Sequence, residues 1–308
     1  MKPEIMMKRI RVSLLAALWV SILCGCAGQQ TGIPADADSG PAPSAAAESL
    51  MESRVVRLTL GGGHMGRDIP FMLYLPKGYG GGDDYPVFYG LHGYSANEKQ
   101  WIDTVGIADA ADRLIESGEI KPLIMVFPLT RYDTMKEIQE DAEDGIWEED
   151  HMDRFLCREL VPYIDSNYDT ITSSDGRYIG GFSMGGMIAL RIALHHTELF
   201  GKVGGYTPAV PSSDYSDKQL ERWLFPNDDI EDIHDVAAFA REHGFDRLQV
   251  YLNCGDTNDP FAPGVQSLYE ALQMRGVKTQ FEVFEGGHDI HNIMDDLDKH
   301  LKFYCGME

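Results

Sequence analysis

Three residue types scattered along this chain can together break the bond between a carbonyl carbon and its leaving group. Ser183 lies in Gly181-Phe182-Ser183-Met184-Gly185, a G-x-S-x-G segment followed by Gly186. An apolar run precedes it and a helical pattern follows, so the spacing predicts a strand-to-helix turn. Such a turn is so sharp that the neighbours must be small. It lifts the Ser hydroxyl above the sheet and points a helix N-terminus at any developing anion. A Ser hydroxyl is a weak nucleophile until a base takes its proton. His288, in Glu285-Gly286-Gly287-His288-Asp289, is the candidate base. His291 is its rival, but on a helix it falls on the side of Asp295 and Asp298, away from the apolar face. An acid is expected between nucleophile and base. The segment Cys254-Gly255-Asp256-Thr257-Asn258-Asp259-Pro260 offers Asp259, further into its loop, and Asp256, which can instead cap the turn through its side chain. The tetrahedral oxyanion needs two backbone N–H donors. Met184 supplies one and Tyr94, in His92-Gly93-Tyr94-Ser95, the other. His92 is expected to hold that loop by hydrogen bonds rather than to act as a base.

These residues work only if strand ends bring them together. Val55–Leu60 and Ile69–Leu75 read as a hairpin around Gly61-Gly62-Gly63. From there to the C-terminus, short apolar strands (Val87–Leu91, Leu123–Phe127, Arg177–Gly181, Leu248–Cys254, Val277–Phe284) alternate with helical patterns. The helices are Thr104–Ser117, Met152–Ile164, Met184–His195, a stretch through Val265 and Leu272, and a terminal one through Ile290 and Tyr304. Alternation of this kind implies a mostly parallel, doubly wound α/β sheet, with the hairpin as an antiparallel edge. Residues 207–247 are less regular and read as an insertion.

Five segments carry a family resemblance: Leu91-His92-Gly93-Tyr94 followed by Trp101, Glu159-Leu160-Val161-Pro162-Tyr163-Ile164-Asp165, Gly181–Gly186, Cys254-Gly255 with Asn258-Asp259, and Gly286-Gly287-His288-Asp289. Over roughly residues 54–305 they resemble the α/β-hydrolase fold in its esterase-D-like branch. That branch includes carbohydrate esterase family 1 (feruloyl and acetylxylan esterases), S-formylglutathione hydrolase, enterochelin esterases and the antigen 85 mycolyltransferases. The resemblance implies a Ser183–His288–Asp259 triad and two-step acyl transfer with no metal or organic cofactor. Its substrate would be a small-molecule or polysaccharide-linked ester. The chain departs from the family in two places. The acid loop has one extra residue, which keeps Asp256 in contention, and Ile290-His291 replace the aromatic that often follows His-Asp. Acyl transfer, siderophore ester hydrolysis and silent carbohydrate binding on the same fold are the alternative readings.

The N-terminus predicts export. Lys2, Lys8, Arg9 and Arg11 precede an apolar run, Val12–Leu23, too short to span a bilayer as a helix. Leu23-Cys24-Gly25-Cys26 resembles a lipobox, which implies cleavage after residue 25 and a lipid on Cys26. The expected order is a signal peptide (1–25), a flexible Ala/Gly/Pro/Ser-rich tether (26–53) and a catalytic domain (54–308), anchored on the outer face of a bacterial cell membrane. The 308 residues carry Lys+Arg 26 against Asp+Glu 49, a formal charge of −23. Loss of residues 1–25, with four basic residues and one acid, takes this to −26. Such a chain is no general nucleic-acid binder, because phosphate backbones are bound through Lys and Arg. The run Glu137–Asp153 holds nine carboxylates but no EF-hand spacing, and reads as solvated. Within it Trp147 is a candidate to stack on a sugar or aryl group, as are Trp101 and Trp223. Cys157, at helical spacing with Leu160, Val161 and Ile164, reads as a small core residue. His195-His196, at a helix end, read as complements to the helix dipole rather than metal ligands.

Overall fold

Strand alternation in the sequence becomes two hydrophobic layers in space. A computed structural model describes residues 52–61, 63, 66–94, 96–130, 151–212 and 235–307. Within them β1 (Arg54–Leu60), β2 (Ile69–Leu75), β3 (Val87–Leu91), β4 (Ile124–Pro128), β5 (Arg177–Phe182), β6 (Lys202–Tyr206), β7 (Gln249–Gly255) and β8 (Lys278–Phe284) form one sheet. Its order is β1-β2-β4-β3-β5-β6-β7-β8. The β1/β2 and β2/β4 pairs are antiparallel and all others parallel. This is the α/β-hydrolase fold, with the antiparallel hairpin at one edge.

Successive strand residues point to opposite faces, and the core divides accordingly. Val87, Tyr89, Leu91, Ile124 and Val126 join one apolar cluster, Phe88, Met125 and Phe127 the other. Helices cover both. On the first face lie α2 (His151–Phe155), a π-helical turn (Leu156–Leu160), α3 (Val161–Asn167), α4 (Met184–His195), α5 (Val236–Glu242) and α6 (Ala262–Met274). On the second lie α1 (Ile107–Glu116), α7 (His291–Asp295) and α8 (Leu297–Cys305).

The parallel register fixes where chemistry can occur. Leu91 pairs with Gly181, Phe182 with Tyr206, Tyr206 with Asn253 and Gly255 with Phe284. The loops after β3, β5, β7 and β8 therefore emerge along one edge, the carboxyl edge where open α/β sheets bind ligands. A cavity of about 550 Å³ opens at the opposite edge, between Lys202, Gln249, Lys278 and Lys302. No helix of the described residues is long and apolar enough to cross a membrane. Cys157, Cys254 and Cys305 are free thiols, Cys157 packed half-buried against the core.

Candidate active site

The turn that carries Ser183 is strained and tightly held. Ser183 sits at φ 55°, ψ −118° between β5 and α4. That backbone region costs a residue with a side chain roughly 1–3 kcal/mol. The turn is fixed from both sides. The Ser183 N–H donates to the Tyr206 carbonyl (3.0 Å), and its own carbonyl accepts from Met187 (3.0 Å) and Ala209 (2.9 Å). The flanking glycines have a steric cause. A Cβ on Gly185 would lie 2.4 Å from the Leu91 carbonyl oxygen, and one on Gly181 would lie 2.3 Å from the Gly185 backbone. Close packing of α4 on β3 and β5 thus forces Ser183 out, where its side chain meets His288.

His288 Nε2 lies 2.7 Å from Ser183 Oγ. Behind it, His288 Nδ1 is 3.4 Å from Asp259 Oδ1, a longer approach than an ordinary N–H···O bond, and Nδ1 has no closer partner. A shift of about half an ångström makes the hydrogen bond, and contacts of this kind tighten when substrate binds. The Asp259 side chain is wholly buried. Its Oδ2 accepts from the Gly255 N–H (3.0 Å) and its Oδ1 from the Phe261 N–H (3.1 Å). Burial pushes its carboxyl up, but His288 and these two amides outweigh that and hold it below the usual carboxylate range.

Asp256 stands elsewhere. It is exposed, its Oδ1 accepts from the Gly286 N–H (3.0 Å) and the Thr257 hydroxyl (2.9 Å), and these bonds hold its pKa low. With the Thr257 N–H donating to the Gly286 carbonyl (3.1 Å), the acid loop is laced to the loop that carries His288. In the same loop as Asp256, Asn258 takes φ 58°, a conformation Asn tolerates. Two aromatics pack on the His288 imidazole: Phe182 stacks at 5.3 Å and Phe261 meets it edge-on at 5.1 Å. Asn292 Nδ2 donates to the Gly287 carbonyl at 3.0 Å and braces the same loop. None of these supports stands out in the sequence beyond its adjacency to Ser183, Asp259 or His288. His291 is exposed and pairs with Asp289 at 2.6 Å.

The loop after β3 is equally constrained. The Thr130 N–H donates to His92 Nε2 (3.0 Å), so the imidazole proton is on Nδ1, which donates to the Gly93 carbonyl (2.8 Å). Burial pushes His92 down to about 4, so it stays neutral. The Gly93 N–H donates to Gln100 Oε1 (2.8 Å), and a Cβ on Gly93 would lie 2.7 Å from the Phe182 ring. Tyr94 follows, half-buried against the core. Trp101 is not a cleft residue, contrary to expectation. It is 1% exposed, stacked on Phe127 at 6.2 Å, and its indole N–H donates to the Leu91 carbonyl at 3.1 Å. It supports the loop from inside the core. Trp147, Trp223, Cys26 and most of Glu137–Asp153 lie outside the described residues. Among the described residues, the one grouping of three metal-ligating side chains is Asp153, Cys157 and His196, at the far end of α4.

A family model described as "Putative esterase" matches residues 62–304. The chain is 29% identical over 219 residues to an endo-1,4-beta-xylanase/feruloyl esterase of Xylanibacter ruminicola, covering 70% of this chain and 26% of that protein. The chain thus spans about a quarter of this relative's length. A solved ferulic acid esterase superposes with TM-score 0.71 at 25% identity, covering 83% of this chain and 98% of that one. An S-formylglutathione hydrolase from Agrobacterium tumefaciens superposes with TM-score 0.65 at 20% identity, covering 82% and 95%.

Proposed function

The chain belongs to the esterase family matched over residues 62–304, and from that premise we propose that it is a serine carboxylic ester hydrolase acting through an acyl-enzyme on Ser183. The observation that carries this reading is the 2.7 Å contact between His288 Nε2 and the hydroxyl of a backbone-strained Ser183. Ser183 Oγ attacks the ester carbonyl as His288 takes its proton. Asp259, held ionised by its amide donors, fixes the imidazole tautomer and stabilises the imidazolium. The Met184 N–H, in the first turn of α4 where the helix itself offers no acceptor, and the Tyr94 N–H hold the oxyanion. His288 then protonates the leaving alcohol, the alkoxy group departs, and water repeats the sequence on the acyl-enzyme.

The relatives' names support a substrate class of feruloyl or other acyl esters, free or linked to polysaccharide. Export and a lipid on Cys26 would place the enzyme at the cell surface, where such polymers are met. The test is fluorophosphonate labelling together with turnover of p-nitrophenyl acyl esters and feruloylated and acetylated xylan. Wild type should label and turn over at least one ester, and Ser183→Ala should do neither. Labelling that survives in Ser183→Ala overturns the nucleophile, and a wild type inert on every ester while retaining polysaccharide overturns the enzyme.

A further inference from the structure

Away from the carboxyl edge, three side chains of the classes that bind borderline metal ions converge. They are Asp153 on α2, Cys157 in the π-helical turn after it, and His196 at the C-terminal cap of α4. One ligand atom from each lies within 4.8 Å of the other two, and all three residues are half-buried. Asp153 and Cys157 are four residues apart and share a helix face, while His196 arrives from a different element. His196 Nε2 is 3.1 and 3.0 Å from the two Asp153 carboxylate oxygens. We propose that Asp153, Cys157 and His196 bind one divalent ion of the zinc type, with water completing a tetrahedral shell.

The donor set selects the metal. One thiolate, one imidazole and one carboxylate suit zinc, whereas calcium and magnesium take shells made of oxygen. Zinc bonds to these donors imply ligand-to-ligand separations of roughly 3.3–3.8 Å, so the cluster needs to contract by about an ångström at its widest. The imidazole is already aimed. On its far side His196 Nδ1 faces a Glu198 carboxylate oxygen at 3.3 Å. A carboxylate behind the second ring nitrogen orients a ligating His and raises its basicity. The ion would also sit at the carbonyl end of α4, where the helix dipole favours positive charge. Binding replaces the proton on Nε2 and the thiol proton, and both pass to solvent. The ion would tie the turn after α2 to α4, about 20 Å along the helix from Ser183, so it bears on the scaffold rather than the reaction. Dipole complementarity, the reading of His195-His196 from sequence, accounts for neither Cys157 nor Asp153.

The experiment uses the full chain freed of metal with a chelator. Zinc titration by calorimetry should give one tight ion per chain and raise the melting temperature by several degrees. Cobalt(II) in its place should show thiolate-to-metal charge transfer and the intense visible bands of a tetrahedral ion. Cys157→Ser and His196→Gln should each weaken zinc by 100-fold or more, and zinc should no longer raise the melting temperature of either above that of its own metal-free form. Ser183→Ala should bind zinc as wild type does, which separates this site from the esterase reading. Zinc affinity unchanged in both site variants would move the metal to Cys24, Cys26 or the acidic surface and overturn the proposal. So would a cobalt complex of the wild type without a thiolate band, a result that does not depend on any variant folding.

Discussion

Two carboxylates three residues apart have opposite surroundings, and this separates their roles. Asp259 is buried against His288 with two amide donors, whereas Asp256 is exposed and laces its loop to Gly286. Asp259→Asn removes the charge that stabilises the imidazolium and allows the wrong tautomer. It should lower kcat on an aryl ester by about 10³–10⁴-fold with KM little changed. Asp256→Asn keeps an oxygen that can accept from Gly286 and Thr257, so its kcat should fall by less than about tenfold. Steady-state kinetics on both variants decide the assignment, and the reverse order would make Asp256 the acid. The pair also shows why sequence left the choice open. Either Asp can close a loop after β7, and only the approach of Gly286 from the loop after β8 reveals which of them does.

At the scale of elements, the site depends on how closely α4 packs on two strands. Gly185→Ala sets a Cβ 2.4 Å from a backbone oxygen of β3, and neither partner can rotate away. The variant should lose about 1–3 kcal/mol of stability and most of its esterase activity, read by urea unfolding and turnover. Wild-type activity in Gly185→Ala would mean the turn tolerates a wider spacing than the one seen. The G-x-S-x-G-G pattern made this element legible, because sterics leave few other residues there. β3 and α4 likewise match their expected bounds. β6 went unread. Lys202-Val203-Gly204-Gly205-Tyr206 has little strand propensity of its own, and its glycines answer to a distant constraint, since a Cβ on Gly204 would lie 2.2 Å from the Tyr304 hydroxyl. α5, inside the stretch read as irregular, and the division of the terminal helix into α7 and α8 were hidden in the same way by tertiary packing. Trp101 faces the core, and an aromatic beside a glycine-containing loop has the same local pattern whether it faces the cleft or the core.

For the molecule as a whole, acidity and burial act on stability in different pH ranges. The excess of carboxylates behind the −23 charge is discharged only near and below the usual carboxylate range, around pH 4. Two buried imidazoles act earlier. His300 lies 4.2 Å from the Tyr206 ring and 5.1 Å from that of Tyr251, with neither ring nitrogen hydrogen-bonded. Burial pushes it down to about 3, and His92 down to about 4, from an ordinary 6.5. Below pH 6.5 the unfolded chain therefore takes up protons that the fold refuses, and stability falls as pH drops towards those values. His196 has the opposite sign: Asp153 and Cys157 raise it to about 11, so its contribution is complete below pH 6.5 and is lost only as pH rises toward 11. Between pH 7 and pH 5, each buried neutral His should remove about 2 kcal/mol. His300→Phe keeps a ring between the two tyrosines and removes one of these terms. Urea melts at pH 7 and pH 5 should show the variant losing about 2 kcal/mol less than wild type over that interval. Equal losses would mean that His300 takes up its proton in the folded state, through a movement of α8 that lets water reach the ring.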